Sequence, residues 1–149
     1  REQGLLVALG NPHALARLSD FRAKKLRVAV RPEGAGAQQL LAGLLKRDGL
    51  SIADLGRTIV APTGPDIAQA IRSGHADCGV ATRAVATAAG VGFVPICIEH
   101  FDLLMRQRDY FRAPLQTLLK LLADPRFASR AEELGGLDVS RAGSVRWSP

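Results

Sequence analysis

The sequence predicts an α/β fold, an open and mostly parallel sheet flanked by helices. Two observations predict it. Short apolar runs alternate with segments whose apolar residues recur at helical spacing, and short turns rich in glycine and proline separate them. The run at residues 26–30 also has the continuous apolar character of a parallel strand that is buried on both faces. A length of 149 residues, 47% hydrophobic and 23% charged, suits a single globular domain.

The chain begins with two predicted strands. Residues 4–9 form an apolar run that Gly10-Asn11-Pro12 stops, which indicates a buried strand followed by a breaker. Residues 18–21 predict a single helical turn. The next apolar run, residues 26–30, predicts the second strand.

The segment from Gly36 to Arg47 predicts an amphipathic helix that ends near Gly49. Its apolar residues recur at positions i, i+3, i+4, i+7 and i+8, which places them on one helical face. They are Ala37, Leu40, Leu41, Leu44 and Leu45. A second short turn is predicted at residues 51–55.

A third strand, residues 58–61, breaks at Pro62, and another helix starts at Pro65 with Gly64 or Thr63 as its cap. Proline suits the first helical position because the N–H that it lacks would have no intrahelical acceptor there. Ile67, Ala70 and Ile71 form the predicted inner face of this helix, which Ser73-Gly74-His75 closes.

The remaining elements continue the alternation and then become helical. We predict strands at residues 76–81, 92–98 and 101–106, and an alanine-rich helix at 82–89. Pro114 starts a leucine-faced helix through Leu122, and Asp124-Pro125 starts another through Leu134, which Gly135-Gly136 caps. Residues 138–143 form a polar tail that either lies along a sheet edge or frays.

The charge and the reactive side chains narrow the function classes. The net charge is +6, and the tight basic cluster (Arg22, Lys24, Lys25 and Arg27) is interpreted as a solvated turn, with nucleic-acid contact as the alternative. Both cysteines, Cys78 and Cys97, lie in apolar runs and are expected to be buried free thiols. Neither they nor the scattered histidines (His13, His75 and His100) show a metal-ligand spacing, so no metal or cofactor is predicted. Asp77 is expected to be structural.

The chain shows no sign of a membrane span or a signal peptide. No run approaches the roughly 18 apolar residues of a transmembrane helix, and the N-terminal residues lack a signal-peptide pattern. We therefore expect a cytoplasmic location. A secreted protein whose signal peptide has been removed would look the same, so a periplasmic or other extracytoplasmic location remains the alternative.

The turn after the second strand has the outline of an anion site. Arg31 supplies a guanidinium, and the N–H groups of Ala35, Gly36 and Ala37 begin a helix, where unpaired donors and the helix dipole favour an anion. Because parallel strands end at one sheet edge, Thr63 and Gly64 are expected nearby. The alternative interpretation is that Gly34 and Gly36 only permit a tight turn. The loop lacks the Gly-Lys-Ser/Thr ending of a Walker loop, and no nucleophile with a base is evident, so no catalytic residue is predicted.

With these residues laid out, the chain resembles the periplasmic-binding-protein-like sensor domains of bacterial helix-turn-helix regulators and molybdopterin-biosynthesis fusions, which are related to molybdate- and tungstate-binding proteins. The resemblance spans nearly the whole chain and rests on the order of five motifs. They are residues 1–7 with Gly10-Asn11-Pro12, the 31–38 loop, Ser73-Gly74-His75-Ala76-Asp77-Cys78-Gly79, Phe93-Val94-Pro95 and Leu134-Gly135-Gly136. It implies a type II binding-protein fold with two α/β lobes and a ligand between them.

The turn and the resemblance together predict the ligand-binding residues, which are Arg31, Gly34, Ala35, Gly36, Ala37, Gln38, Thr63 and Gly64. Arg31 matches the arginine that looks like the family's oxyanion contact, and Gly36 matches the glycine of a Ser-Gly-Thr turn. Ala35 and Ala37 stand where the family usually has Ser and Thr, and Gln38 stands where the regulator branch often has Arg. Two hydroxyl donors and one charge are therefore missing, which leaves open an oxyanion such as molybdate or tungstate, an organic carboxylate or a pterin-like molecule.

The resemblance further implies that residues 1–149 are a fragment of such a ligand-binding domain. Residues from about 11 to 93 would form the second lobe, while residues 1–10 and 94–149 would be linker strands and remnants of the first lobe. Exposed apolar surface would then favour a homodimer. We predict a non-enzymatic ligand-sensing domain of a transcription regulator that contacts DNA only through a domain outside this chain. The alternatives are a solute-binding receptor of an ABC-type uptake system and a binding domain fused to a molybdopterin-biosynthesis enzyme.

Overall fold

A five-stranded sheet forms the centre of the molecule in the computed structural model, which describes residues 1–146 and, of Arg22 and Ala23, only the backbone. The strands run in the order β3-β2-β4-β1-β5. β2 pairs in parallel with β3 and β4, whereas β1 pairs antiparallel with β4 and β5, so β1 alone runs against the other four. The predicted open α/β sheet is confirmed. The strands are β1 (Glu2–Val7), β2 (Arg27–Val30), β3 (Arg57–Val60), β4 (Cys78–Thr82) and β5 (Gly92–Ile98).

Helices connect the strands, and three more follow β5 in the described part of the chain. The bounds of α2 and β5 agree with those predicted, and the other predicted strands up to residue 98 are found with their ends shifted by a few residues. Thr63 is the residue that caps α3, which decides between the two predicted caps. The helices are α1 (Asp20–Lys24), α2 (Gly36–Arg47), α3 (Gly64–Arg72), α4 (Arg83–Ala89), α5 (Gln107–Tyr110), α6 (Ala113–Leu122) and α7 (Pro125–Leu134), with a 3-10 turn at Ile52–Asp54.

Two apolar layers cover the two faces of the sheet. On one face, alternate residues of β1 (Leu5 and Val7) pack with the buried leucines of α2 and with Phe21. On the other face, Leu6 and Ala29 pack against α3 through Ile67. The buried residues of α3 are Ile67, Ala68 and Ile71. Ala68 therefore joins the predicted inner face, and the predicted Ala70 packs against the same cluster while only partly buried.

The prediction of a strand at residues 101–106 is wrong. Within residues 1–146, strand pairing ends at Ile98, and the 101–106 segment has no neighbouring strand to satisfy its backbone N–H and C=O groups. Its large apolar side chains are therefore mostly exposed, with Leu104 97% accessible. The short helix α5 that follows was not predicted. Residues 140–143 form a turn beside α6, and residues 138–143 pair with no strand.

Apolar surface remains open around α6. None of the residues of α6 is buried despite its leucines, and an open groove of about 560 Å³ lies between residues 103–106 and the start of this helix. The predicted homodimer rests on this kind of surface and stays a prediction.

An ion pair joins β2 and β4 at the sheet edge where both strands begin. The carboxylate of Asp77 accepts hydrogen bonds from the backbone N–H (2.8 Å) and the guanidinium of Arg27, and Asp77 N–H donates to Arg27 O at 2.8 Å. The hydrogen bond from the Arg27 side chain is the main reason that the pKa of Asp77 lies below its usual range. Asp77 is therefore structural, as predicted.

Two members of the basic cluster have partners within the chain. Lys24 donates to the carbonyl oxygens of His13 and Ala14, and Arg27 pairs with Asp77.

We expect Asp77→Asn to destabilise the protein by about 1 kcal/mol at neutral pH, a value reduced because Arg27 is partly exposed. The folded-state pKa of Asp77 is lowered, so its contribution is present above the unfolded pKa of about 3.9 and is lost as the pH falls through the folded value. Urea unfolding of both proteins from neutral pH to pH 3 should show the two stabilities converging in acid. Glu133→Gln, at an exposed ion pair with Arg130, is the control. A difference that does not depend on pH would contradict the account.

Candidate functional site

The candidate site lies at the sheet edge where β2, β3 and β4 end. Val30 and Val60 are register partners at the ends of β2 and β3, and Ala61 N–H donates to Val30 O at 2.8 Å. The loops that begin with Arg31 and with Ala61 are therefore neighbours, which is the juxtaposition that parallel strands predict. β1 runs the other way, so its first residues reach the same edge, where Gln3 pairs with Thr82.

The loop after β2 holds itself in place before α2 begins. Gln38 Oε1 accepts a hydrogen bond from Arg31 N–H (3.1 Å), and Ala35 N–H donates to Pro32 O (3.2 Å). Gly34 adopts φ +84°, a conformation that glycine takes without strain. Ala35 N–H was predicted as a ligand donor, but the structure uses it to close this turn. Gln38, also predicted as a ligand contact, positions the loop through its side chain.

Three donors remain at the start of α2. The N–H groups of Gly36 and Ala37 lie in the first helical turn, where α-helix geometry supplies no intrahelical acceptor. Gln38 N–H, by contrast, donates to Ala35 O at 2.9 Å. The third donor is Arg31, which is half-buried and whose Nε is shielded from solvent without a hydrogen-bond partner in the described part of the chain. These donors suit an anion.

The start of α3 is less suited to an anion than the sequence suggested. The Thr63 hydroxyl donates to Asp66 Oδ2 (2.6 Å) and accepts from Asp66 N–H (3.3 Å), so it is engaged in capping the helix. The carboxylate of Asp66 also places a negative charge in the first turn of α3. Gly64 allows close packing, because a Cβ there would lie 3.2 Å from Val85. Thr63 and Gly64 thus border the site, and a ligand role for them stays a prediction.

Two ion pairs at this edge were missed by the sequence reasoning. Arg83 pairs with Glu2 and lies 4.4 Å over the ring of Phe93, while Arg1 pairs with Glu99 at 2.8 Å. The hydrogen bond from Arg83 lowers the pKa of Glu2. Burial opposes ionisation of Glu99, but the hydrogen bonds from Arg1 and Gln3 outweigh it and lower its pKa. Partners 81 to 98 positions apart in sequence leave no local pattern that would have revealed them.

The cysteines do not form a reactive centre. Cys78 is fully buried, and this burial, followed by the nearby Asp77 charge, raises its pKa to about 12, so the thiol is protonated at neutral pH. Cys97 is only half-buried, which corrects the prediction that both thiols are buried.

Within residues 1–146 there is no group of three or more His, Cys, Asp or Glu side chains placed to hold a metal ion. None of the helices in that range is long and apolar enough to cross a membrane.

An open five-stranded sheet flanked by helices, with donors at one edge, is the architecture expected of a binding-protein-like domain. Comparison of the sequence with protein families agrees. Residues 1–123 match the model of the PBP superfamily domain, and the chain belongs to this family.

Similar proteins and solved structures cover most of this chain. The uncharacterized protein YvgK of Bacillus subtilis (strain 168) is 26% identical over 146 residues, which cover 97% of this chain and 47% of the relative. PEB3 bound to L-phospholactate superposes with a TM-score of 0.65 at 15% identity, over 91% of this chain and 64% of that one. An ancestral arginine-binding protein bound to arginine gives 0.57 at 20% identity, over 91% and 60%. The chain thus spans about half the length of its curated relative and less than two thirds of these structures.

Proposed function

We propose that this domain binds a small anionic ligand at the edge formed by the ends of β2, β3 and β4, without chemically transforming it. One observation carries the proposal: Arg31 has a shielded guanidinium Nε without an acceptor among the described residues, and its backbone N–H is bonded to Gln38 in the first turns of α2. A buried donor without an acceptor costs free energy, which an incoming anion would recover. Binding of an anion at this place would therefore also stabilise the loop.

The ligands of the similar structures support an anion with an organic part. L-phospholactate, bound by PEB3, is an organic anion, and arginine, bound by the ancestral protein, carries a carboxylate. The alanines at positions 35 and 37 remove the two hydroxyl donors that the molybdate-type resemblance would supply. The charged side chain and backbone donors that remain are suited to a carboxylate or phosphate group.

The cellular role of the proposed binding is a separate part of the proposal. We infer a sensor domain of a cytoplasmic transcription regulator, in which ligand binding shifts the population of two states. Support comes from the sequence resemblance described above. The gene sequence upstream of Arg1 discriminates the alternatives, because a helix-turn-helix supports the regulator, a signal peptide supports an uptake receptor and a catalytic domain supports a biosynthetic fusion.

The proposed site is tested by calorimetric titration of the protein and of Arg31→Ala with phosphate, sulfate, molybdate and L-phospholactate. Loss of a charge-assisted hydrogen bond, worth about 1.5–3 kcal/mol, should weaken binding of the preferred anion by about 10- to 100-fold. Arg57→Ala removes an exposed arginine at the start of β3, which is the end of the strand farther from the site. This variant should leave the affinity unchanged. Equal affinity in Arg31→Ala would remove Arg31 from the site, and binding of none of the anions would overturn the proposed function.

A further inference from the structure

Positive charge is concentrated at the sheet edge where β2, β3 and β4 begin, opposite the candidate ligand site. Arg27 and Arg57 are register partners at the starts of β2 and β3. A Cβ on Gly56 would lie 2.8 Å from Leu26 O, so the chain before β3 packs closely against the chain that enters β2. The exposed Lys25 therefore lies near Arg57.

The last turn of α3 and the end of α1 extend this group of cations. Arg27 Nη1 donates to Gly74 O at 2.6 Å, which places the end of α3, with its exposed Arg72, beside the start of β2. Lys24, the last residue of α1, is also exposed. We call this surface the basic edge, and its members are Lys24, Lys25, Arg27, Arg57 and Arg72.

The carboxylates near the basic edge do not balance its charge. Asp77 pairs with Arg27, and Asp54 lies in the 3-10 turn before β3. Asp20 also lies near Lys24, but it pairs with Arg17. The described side chains of the basic edge thus keep an excess of about three positive charges, about half of the net charge of +6.

The edge that holds the ligand site differs, because its two long-range ion pairs join one cation to one carboxylate. Arg83 pairs with Glu2, and Arg1 pairs with Glu99. The positive charge of the described chain is therefore distributed unevenly between the two edges. A one-sided excess of this kind attracts a polyanion to the basic edge.

The side chains around the basic edge favour a partner that is recognised by charge. Protein interfaces usually contain an apolar core, but among the described strands and the residues beside them Leu9 is the one large exposed apolar side chain near this edge. Single-stranded nucleic acid is bound largely by stacking on aromatic rings. The exposed phenylalanines of the described chain, Phe101 and Phe111, both follow β5, which ends at the ligand-site edge. The backbone of a duplex is contacted by lysine and arginine without such rings.

We infer that the basic edge binds the phosphate backbone of a nucleic acid duplex without reading its sequence. A duplex carries one negative charge per about 1.7 Å of its axis, and neighbouring strands such as β2 and β3 hold their first residues about 4.8 Å apart. Several of these cations can therefore contact phosphates at the same time. The inference extends nucleic-acid contact to this chain itself, and it does not depend on the proposed function because it concerns the opposite edge of the sheet.

Fluorescence anisotropy of a labelled DNA duplex of about 20 base pairs, measured between about 20 and 200 mM NaCl, tests the inference. The logarithm of the affinity should fall with the logarithm of the salt concentration with a slope of about −3. Lys25→Gln combined with Arg72→Gln should reduce this slope by about 2 and weaken binding at least about 10-fold at low salt. Lys120→Gln combined with Arg108→Gln is the matched control, because it removes an exposed lysine of α6 and an exposed arginine of α5. The control should keep the wild-type slope.

Each outcome of this experiment supports or overturns the inference. No binding at about 20 mM NaCl, or a double variant with the wild-type slope, would overturn it. Equal displacement of the duplex by poly-glutamate of the same total charge would also overturn it and indicate an acidic protein as the partner. The wild-type slope needs no variant, so a slope near zero decides against the inference even if thermal melting shows that the double variant is unfolded.

The two edges can be tested separately. Arg57→Ala should weaken duplex binding while it leaves the binding of small anions at Arg31 unchanged. Failure of the anion titrations would overturn the proposed function and leave the duplex contact standing. Failure of duplex binding would have the reverse consequence.

Discussion

Phe21→Ala is expected to lower the free energy of unfolding by about 3–5 kcal/mol. Phe21 is fully buried, and it is the largest of the fully buried side chains that the structure describes. It packs in the cluster between α2 and the sheet, where neighbours such as Leu15 and Leu18 belong to the loop before α1. Removing the ring leaves a cavity that these leucines fill only in part, because their backbones hold them in place. The protein therefore loses the free energy of burying the ring and also carries the free-energy cost of the cavity.

Urea unfolding followed by circular dichroism measures this effect, and the melting temperature should fall by about 10 to 15 °C. Phe111→Ala is the matched control, because Phe111 is 71% exposed. Its free energy of unfolding should change by less than about 0.5 kcal/mol. Similar losses in the two variants would contradict the burial of Phe21 in the main core.

Gly79→Val is expected to cost about 3 kcal/mol or more, through overpacking instead of a cavity. Gly79 lies in β4, at the centre of the sheet. A Cβ at this position would lie 2.6 Å from Ile67 Cγ2 and 2.7 Å from Ala29 O. The first contact involves a buried helix residue and the second a backbone atom of the neighbouring strand, so neither can move away without shifting α3 or β2.

The consequence extends to the site, because α3 and β2 both lead to its loops. Gly79→Val should therefore weaken anion binding even though it lies away from Arg31, and unfolding and calorimetry report the two effects separately. Gly43→Val serves as the control, since Gly43 is exposed in α2 and nothing lies within 4 Å of a Cβ built there. Its stability should change by less than about 1 kcal/mol. Tolerance of Gly79→Val would show that α3 does not pack closely on β4.

Sequence patterns correctly predicted those elements that depend on residues close together in the chain. The bounds of α2 follow from leucines at helical spacing and the glycine after them, and α3 begins where Thr63 and Pro65 supply a cap and a first-turn proline. The juxtaposition of the loops after β2 and β3 also followed, because it needs only that the two strands are parallel neighbours. Each of these features depends on residues close together in the chain or on a general rule of sheet geometry.

Other features depended on partners that no local pattern reveals. The segment 101–106 is mostly apolar, as a strand can be, yet a strand forms only where a neighbouring strand supplies hydrogen bonds, and no described strand lies beside it. Ala35 N–H was an open donor in the sequence, but the carbonyl of Pro32 occupies it in the folded loop. The direction of β1 likewise follows from its pairing with β4 and β5 rather than from its composition.

Backbone propensity and apolar spacing act over a few residues, so they were enough to predict the α/β class, most of the helices and strands, and the position of Arg31 before a helix start. The folded chain was needed to show that Gln3 is buried beside Glu99, that Arg83 and Arg1 pair with nearby carboxylates, and that Arg31 Nε has no acceptor among the described residues. The physical reason is that hydrogen bonds and burial depend on distances in space, and the sheet brings β1 and β5 together from far apart in the chain.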